Sequence, residues 1–382
     1  MGGLYKRKKT GSVKKAGEPP KASESIGEWL SSFDGVKRFV RHWIPHLFLR
    51  DAPDKKPRGA VHIVHGMAEH SLRYELLARR LCREGIEVWA PDQRGHGKTA
   101  DPLINDRGLG GLLGHCADRD GIGKLVSDIH LVNTMIGETY PDVPLFLLGH
   151  SWGSFLAQYY IESSDYPLSG CILSGTRGPD GFKIRASVPL MTFIAFLKGV
   201  RRGSYIARAL ADGPFNRPFK PNRTSFDWIS RDEREVDAYL ADPLSGRFCS
   251  AGFYRDMGVL LNKIHTVESM RMINPELPLY VFGGSADPVG DMGESPTTLV
   301  NTYRSLGIKD LEFALYPDAR HETLHETNRE EVIDNLLDWI LRHCEKAAHP
   351  APETPEAPET AAEKTEKTEK TESRKQEDNT GG

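Results

Sequence analysis

Between residues 144 and 160 the chain reads PLFLLGHSWGSFLAQYY, an apolar run that enters Gly149-His150-Ser151-Trp152-Gly153 and leaves as an amphipathic pattern. A serine hydroxyl is a poor nucleophile until a base takes its proton and an acid orients that base. A serine between two glycines at a strand-to-helix turn therefore matters chemically only if those partners exist. The same glycines would serve a plain tight turn, where the missing Cβ relieves steric strain. When a nucleophile sits on such a turn, its acid and base follow in the order Ser, Asp or Glu, His, each just past the carboxyl end of a strand. Here Ser285-Ala286-Asp287-Pro288-Val289 follows LPLYVFGG, and Asp318-Ala319-Arg320-His321-Glu322 follows LEFALYP. The set points to acyl transfer, with Ser151 attacking a carbonyl, His321 as base and Asp287 as acid. Asp291 and His325 stand near enough in sequence to be the alternative acid and base.

A tetrahedral intermediate also needs backbone donors, usually the amide after the nucleophile and one from the loop after an earlier strand. Trp152 and Met67 occupy those positions, the latter in VHIVHGMAEHSLRY, where His65-Gly66 ends an apolar run. His65 and His70 are expected to shape this loop through hydrogen bonds. They lack metal-ligand spacing with another His, Cys or acid, so no metal and no cofactor is expected. Glu69 and Arg73 are four residues apart and suit a helix-end ion pair. APDQRGHGKT, with glycines at 95 and 97, signals by itself only a tight loop.

These residues need elements to hold them. AVHIVHG, IEVWAPD, PLFLLGH, LSGCILSG, LPLYVFGG and LEFALYP are short apolar runs bounded mostly by turn residues, as buried parallel strands should be. Helical spacing separates most of them. In GKLVSDIHLVNTMIGE, for instance, Leu125, Ile129, Val132 and Ile136 fall on one face. The alternation predicts an α/β fold, a mostly parallel sheet with helices on both faces. FDGVKRFVRHWIPHLFLRD suggests an antiparallel lead-in turning at Asp34-Gly35.

The expected organisation is a basic leader over residues 1–25, a first core segment over 26–178, a helical cap inserted at 179–275, a second core segment over 276–345 and a tail over 346–382. Leader and tail are expected to be disordered. The leader carries six basic side chains between residues 6 and 15. It has no apolar run for a signal peptide, and Lys6 stands where a myristoylation motif needs Ser or Thr. It is a candidate for transient contact with an anionic membrane surface. The tail is Pro, Glu, Lys and Thr with an EKT repeat, a composition with little to bury.

Length and charge set the outer limits. The 382 residues suffice for a substantial core, and a formal charge of −3 provides no global field to recruit nucleic acid, so none is expected as a partner. Five scattered cysteines, an odd number with no C-x-x-C pair, argue against a disulfide framework and for a reduced, cytoplasmic setting, with membrane association as the variant. VPLMTFIAFLKGV at 188–200 is apolar but too short to span a bilayer. Oligomeric state stays open.

Together, and in this order, HGMAEHSLRY, DQRGHGKT, GHSWGS, GGSADPV and ARHE resemble the α/β-hydrolase superfamily, in particular its monoacylglycerol lipase and lysophospholipase branch, which also holds serine aminopeptidase-like sequences. The resemblance covers about residues 30–343. It implies Ser151 as nucleophile, Asp287 as acid, His321 as base, and Met67 and Trp152 as oxyanion donors. In the resembling lipases the Glu69–Arg73 pair lies near the polar end of the pocket, which implies a part in substrate positioning. Apolar cap side chains such as Phe193 and Phe196 are expected to line an acyl channel above the carboxyl edge of the sheet. The implied activity is hydrolysis of the acyl ester of a single-chain lipid, a monoacylglycerol or lysophospholipid, through an acyl-enzyme. A serine aminopeptidase or thioesterase on the same residues is the alternative, and a non-catalytic interaction protein is the alternative of another class.

Overall fold

The computed structural model describes residues 25–45, 56–179 and 182–348. The basic leader and the tail beyond residue 348 lie outside the described residues. Among the described residues eight strands form one sheet: β1 (Ser25–Ser31), β2 (Lys37–Trp43), β3 (Gly59–Val64), β4 (Ile86–Pro91), β5 (Leu145–His150), β6 (Gly170–Ser174), β7 (Leu279–Gly284) and β8 (Leu311–Tyr316). Their spatial order is β1-β2-β4-β3-β5-β6-β7-β8. The β1–β2 and β2–β4 pairs are antiparallel and every other pair is parallel. Gly35, at φ +81°, makes the β1–β2 turn that Asp34-Gly35 announces.

The helices are α1 (Glu75–Arg83), α2 (Gly121–Thr139), α3 (Trp152–Ser163), α4 (Phe182–Lys198), α5 (Tyr205–Ala211), α6 (Glu233–Ala241), α7 (Ala251–Ile264), α8 (Val267–Met270), α9 (Glu294–Ser305) and α10 (Arg329–Ala348). Strands β3 to β7 are buried along their whole length, so successive side chains feed two different cores. Phe146 and Leu148 of β5 pack with Leu77 and Leu81 of α1 and with Leu336 and Trp339 of α10. Leu147 points the other way, into a cluster with Leu125 and Ile129 of α2, Phe155 and Leu156 of α3, and Leu299 and Tyr303 of α9. The predicted stripe of α2 is the buried one, all four residues being at most 4% exposed. Asp120 starts that helix by accepting a hydrogen bond from the Gly123 N–H.

Between β6 and β7 the sheet is interrupted by α4 to α8. Helix α7 packs on α3 and on α4, which ties the insertion to the helix that follows Ser151. Among the described residues no helix is long and apolar enough to cross a membrane. All five cysteines are buried.

Because Ile129 is sealed between α2 and the sheet, Ile129→Ala should lower the unfolding free energy by about 2–5 kcal/mol. Leu103→Ala, at a side chain 94% exposed, should stay within about 0.5 kcal/mol of the parent in the same urea titration. Equal effects would mean that α2 does not pack as described.

Candidate active site

Ser151 is the single residue between β5 and α3, and it adopts φ 51°, ψ −120°. A non-glycine residue held there stores about 1–3 kcal/mol of strain, which the packing around it must sustain. The flanking glycines explain how. A Cβ on Gly153 would overlap the Val64 carbonyl oxygen at the end of β3, and one on Gly149 would overlap the Gly153 carbonyl. The plain-turn reading of these glycines is thus incomplete, since what they permit is close approach of α3 to the sheet. The turn lifts the serine side chain to the carboxyl edge.

Two other loops meet it there. His321, five residues past β8, places Nε2 2.8 Å from Ser151 Oγ, and its Nδ1 lies 2.9 Å from Asp287 Oδ2, three residues past β7. The second carboxylate oxygen of Asp287 accepts the Val289 N–H at 2.8 Å, which orients the group. His321 and Asp287 are each 2% exposed. Burial alone would depress the His321 imidazolium, but the Asp287 carboxylate and its hydrogen bond, helped by Glu322 and Glu69, hold its pKa above the usual imidazole value. His150, whose ring centroid is 5.0 Å from that of His321, is pushed down to about 4 by burial and by His321 itself, so it stays neutral beside the site. The alternatives fall elsewhere. His325 bonds the Arg73 carbonyl at 2.9 Å, and Asp291 lies 3.5 Å from Arg177.

The loop after β3 brings Met67 against the serine: a Cβ on neighbouring Gly66 would come 3.3 Å from Ser151 Cβ. Trp152 is the first residue of α3, so its N–H has no intrahelical acceptor. The Met67 N–H has no acceptor among the described residues either. Two free backbone donors beside a serine hydroxyl can receive a developing oxyanion.

The expected Glu69–Arg73 pair does more than close a helix end. Glu69 accepts from the Gly66 N–H and from Tyr74 O–H at 2.8 Å, and Arg73 links it to Glu322 through bonds of 3.0, 2.7 and 2.6 Å. All three charged side chains are at least nine-tenths buried. Burial opposes ionisation of Glu69 and Glu322, yet Arg73 overrides it and keeps both below the usual carboxylate range. The network joins the Met67 loop to the His321 loop.

His65 shapes this loop through hydrogen bonds as expected, and sequence reading missed the supports that follow it. His65 Nε2 accepts the Gln93 N–H at 3.0 Å, so its Nδ1 donates to the Gly66 carbonyl at 2.8 Å. Asp92 accepts from Ser71 through both N–H and hydroxyl. DQRGHGKT is thereby the buttress of the Met67 loop. Buried Glu326 accepts from the Arg320 N–H at 2.9 Å and from Arg231, while the Glu322 N–H donates to the Ile229 carbonyl at 2.7 Å, so the insertion holds the His321 loop. Only the polar character of these residues next to the motifs could have flagged them.

Ser151 faces two unlike spaces. One is a cavity of about 360 Å³ with a mainly apolar wall that includes Phe155, Leu190, Met191, Phe215, Met257 and Leu261. The other is a narrow space of about 30 Å³ whose wall carries Glu69, Arg208, Asp212, Tyr239, Arg247 and Glu322. Phe193 and Phe196 line neither. They are 58% and 81% exposed on the outer side of α4, whose inner side presents Leu190 and Met191 to the large cavity. The expectation that they line the channel is corrected accordingly. Among the described residues no cluster of His, Cys, Asp and Glu is arranged to hold a metal.

A family described as Hydrolase_4, Serine aminopeptidase, S33, matches residues 55–328 of this chain. The chain is 30% identical over 297 residues to a monoacylglycerol lipase of Mycolicibacterium smegmatis, covering 76% of this chain and 91% of that one. It is 26% identical to the monoglyceride lipase of Homo sapiens, covering 85% and 93% respectively. Among solved structures, it is similar to a thermostable carboxyl esterase from Bacillus coagulans in complex with glycerol, with a TM-score of 0.73 and 26% identity over 84% of this chain and 99% of that one.

A base at Ser151 must be unprotonated, so activity should be lost as pH falls through the His321 pKa. Since that pKa is raised, the acid limb of kcat/KM should have its midpoint above about 6.5, the ordinary imidazole value. A pH–rate series that places the midpoint below that value would contradict the electrostatic assignment.

Proposed function

The chain belongs to the Hydrolase_4 (Serine aminopeptidase, S33) family and to the monoacylglycerol lipase-like branch of the α/β-hydrolases, carboxylic ester hydrolases by family; from that premise we propose that it cleaves the acyl ester of a single-chain lipid, a monoacylglycerol or lysophospholipid, through an acyl-enzyme on Ser151. The observation that carries this reading is the hydrogen-bonded chain Ser151–His321–Asp287 set between a large apolar cavity and a narrow polar one. An acyl chain suits the first and a small alcohol the second.

In the proposed reaction, Ser151 Oγ attacks the ester carbonyl while His321 Nε2 takes its proton. Asp287 holds the Nδ1–H and so the tautomer that leaves Nε2 free to accept. The oxyanion sits against the Met67 and Trp152 N–H groups. Collapse of the intermediate breaks the bond to the alcohol oxygen, which takes the proton from His321 and leaves. Water then attacks the acyl-enzyme, giving its proton to His321, and Ser151 departs reprotonated with the fatty acid released. Glu69 and Arg73 contribute by fixing the loop that bears Met67.

The test is a screen of purified protein against monoacylglycerols, lysophospholipids, thioesters and aminoacyl amides, with Ser151→Ala as control. Monoacyl lipid esters should be the best substrates, and Ser151→Ala or His321→Ala should each lower kcat by about 10⁴-fold or more. Preference for aminoacyl amides over every lipid would overturn the lipid reading while leaving the serine chemistry standing.

Cavity shape makes a separate prediction. With each buried methylene adding about 0.8 kcal/mol, kcat/KM should rise with acyl length until the apolar cavity is filled. Met257→Trp should move that optimum to shorter chains, whereas Phe193→Ala, on the outer side of α4, should leave it in place. A homologous series of monoacyl esters measures both, and an optimum that follows Phe193 and ignores Met257 would place the chain elsewhere.

A further inference from the structure

Between β3 and α2 lies a cavity of about 10 Å³ whose wall includes Arg38, His62, Gln93, Leu125, Asp128 and Ile129, each at most 6% exposed. Three of these side chains carry a buried polar atom with no hydrogen-bond partner among the described residues: Arg38 Nη2, His62 Nε2 and Gln93 Oε1. Their other polar atoms are engaged. Arg38 donates from Nε to Ser32 Oγ at 2.8 Å and from Nη1 to the Asp128 carbonyl at 3.1 Å. His62 Nδ1 lies 2.7 Å from Asn133 Oδ1, and Gln93 Nε2 donates to the His65 carbonyl. Buried polar groups without partners are costly, and three around one cavity call for a shared occupant.

The chemistry of that occupant follows from the three atoms. The Nδ1–H of His62 donates to Asn133 Oδ1, which leaves Nε2 a bare acceptor. Burial, with Arg38 adding to it, pushes this imidazole down to about 4 against the pull of the Asn133 bond, so it stays neutral. Gln93 Oε1 is a second acceptor and Arg38 Nη2 a donor. The occupant must therefore donate two hydrogen bonds and accept one. A simple anion donates nothing and would meet the Asp128 carboxylate, while a metal ion or an ammonium accepts nothing and would meet the Arg38 guanidinium. A space of about 10 Å³ admits the centre of one water molecule and nothing larger.

We propose that one buried water bridges Arg38, His62 and Gln93, and that through it Arg38 and His62 are positioning residues for the loop that bears Met67. Neither residue lines the two spaces that meet at Ser151, so neither acts by touching substrate. The water fixes the Gln93 amide, and Gln93 holds His65 twice, by its backbone N–H to Nε2 at 3.0 Å and by its side chain to the carbonyl. His65 in turn donates from Nδ1 to the Gly66 carbonyl, and Met67 follows. The proposal rests on the acyl-transfer reading of Ser151, in which the Met67 N–H receives the oxyanion.

The experiment has two arms. A high-resolution crystal structure of the wild type should show one water within hydrogen-bonding distance of Arg38 Nη2, His62 Nε2 and Gln93 Oε1. Density without a peak there, or a peak that anomalous scattering identifies as a metal or halide, overturns the site. In the second arm, hydrolysis of p-nitrophenyl butyrate gives kcat and KM for the wild type, His62→Gln, which keeps an amide acceptor, and His62→Leu, which has none. His62→Leu should lower kcat by about tenfold with KM within about twofold, because a slightly displaced oxyanion donor loses worth in the transition state and not in binding. His62→Gln should keep kcat within about threefold of the wild type, since the water retains its acceptor. An unchanged kcat in His62→Leu, or an equal loss in both variants, overturns the positioning role. If circular dichroism shows that His62→Leu does not fold, His62→Gln carries the test, and loss of its water or of its kcat overturns the proposal. Wild-type protein that cleaves no ester overturns the acyl-transfer reading and the positioning role with it, while the density decides the water site separately.

Discussion

The site depends on how closely α3 can approach β3. Gly153 sits where any Cβ would collide with the Val64 carbonyl, so the first turn of α3 rests directly on the end of the neighbouring strand. That contact leaves the chain no length in which to turn except Ser151 itself, which takes up the left-handed φ of 51°. Three consequences share this cause. The serine side chain stands above the sheet edge, the Trp152 N–H is free at the start of a helix, and the loop that carries Met67 is pressed against the same point.

Holding three loops in register at a sheet edge requires more than apolar packing, because their backbone groups are buried there. The structure meets this need with charge. Glu69, Arg73 and Glu322 form a buried chain between the Met67 and His321 loops, and Glu326 and Arg320 tie the latter to the insertion. Buried ion pairs contribute little net stability, but leaving one partner alone is strongly unfavourable, so the arrangement enforces a single geometry. The excess negative charge of this network also acts on His321, adding to Asp287 in stabilising the protonated imidazole that the proposed reaction forms.

The insertion supplies asymmetry. Helices α4 and α7 wall the large apolar space, while the end of α5 borders both it and the narrow polar one, which Arg208 lines. In the proposed function this division separates the two halves of an ester before the bond between them is broken. The orientation of α4 is the decisive detail: Met191 and Ile194 are 5% and 7% exposed, whereas Phe196 and Leu197 face outward at 81% and 64%.

Much of this was legible in the chain itself. Strand runs bounded by turn residues, and a helix stripe at Leu125, Ile129, Val132 and Ile136, carry period and burial in their composition, so sheet and flanking helices could be read directly. The order of Ser151, Asp287 and His321, each just beyond a strand, placed them on one edge because all parallel strands end on the same side. Phe193 could not be assigned, since VPLMTFIAFL carries no charged side chain, and a stretch without a polar face does not say which side turns inward. Nor could Glu326, whose surroundings come from residues tens of positions away. Local pattern determines what forms, because neighbouring residues decide period and turn. Only the tertiary structure decides which buried charges meet and which oxygen is left without a partner, because those depend on distances between segments that the sequence does not encode locally.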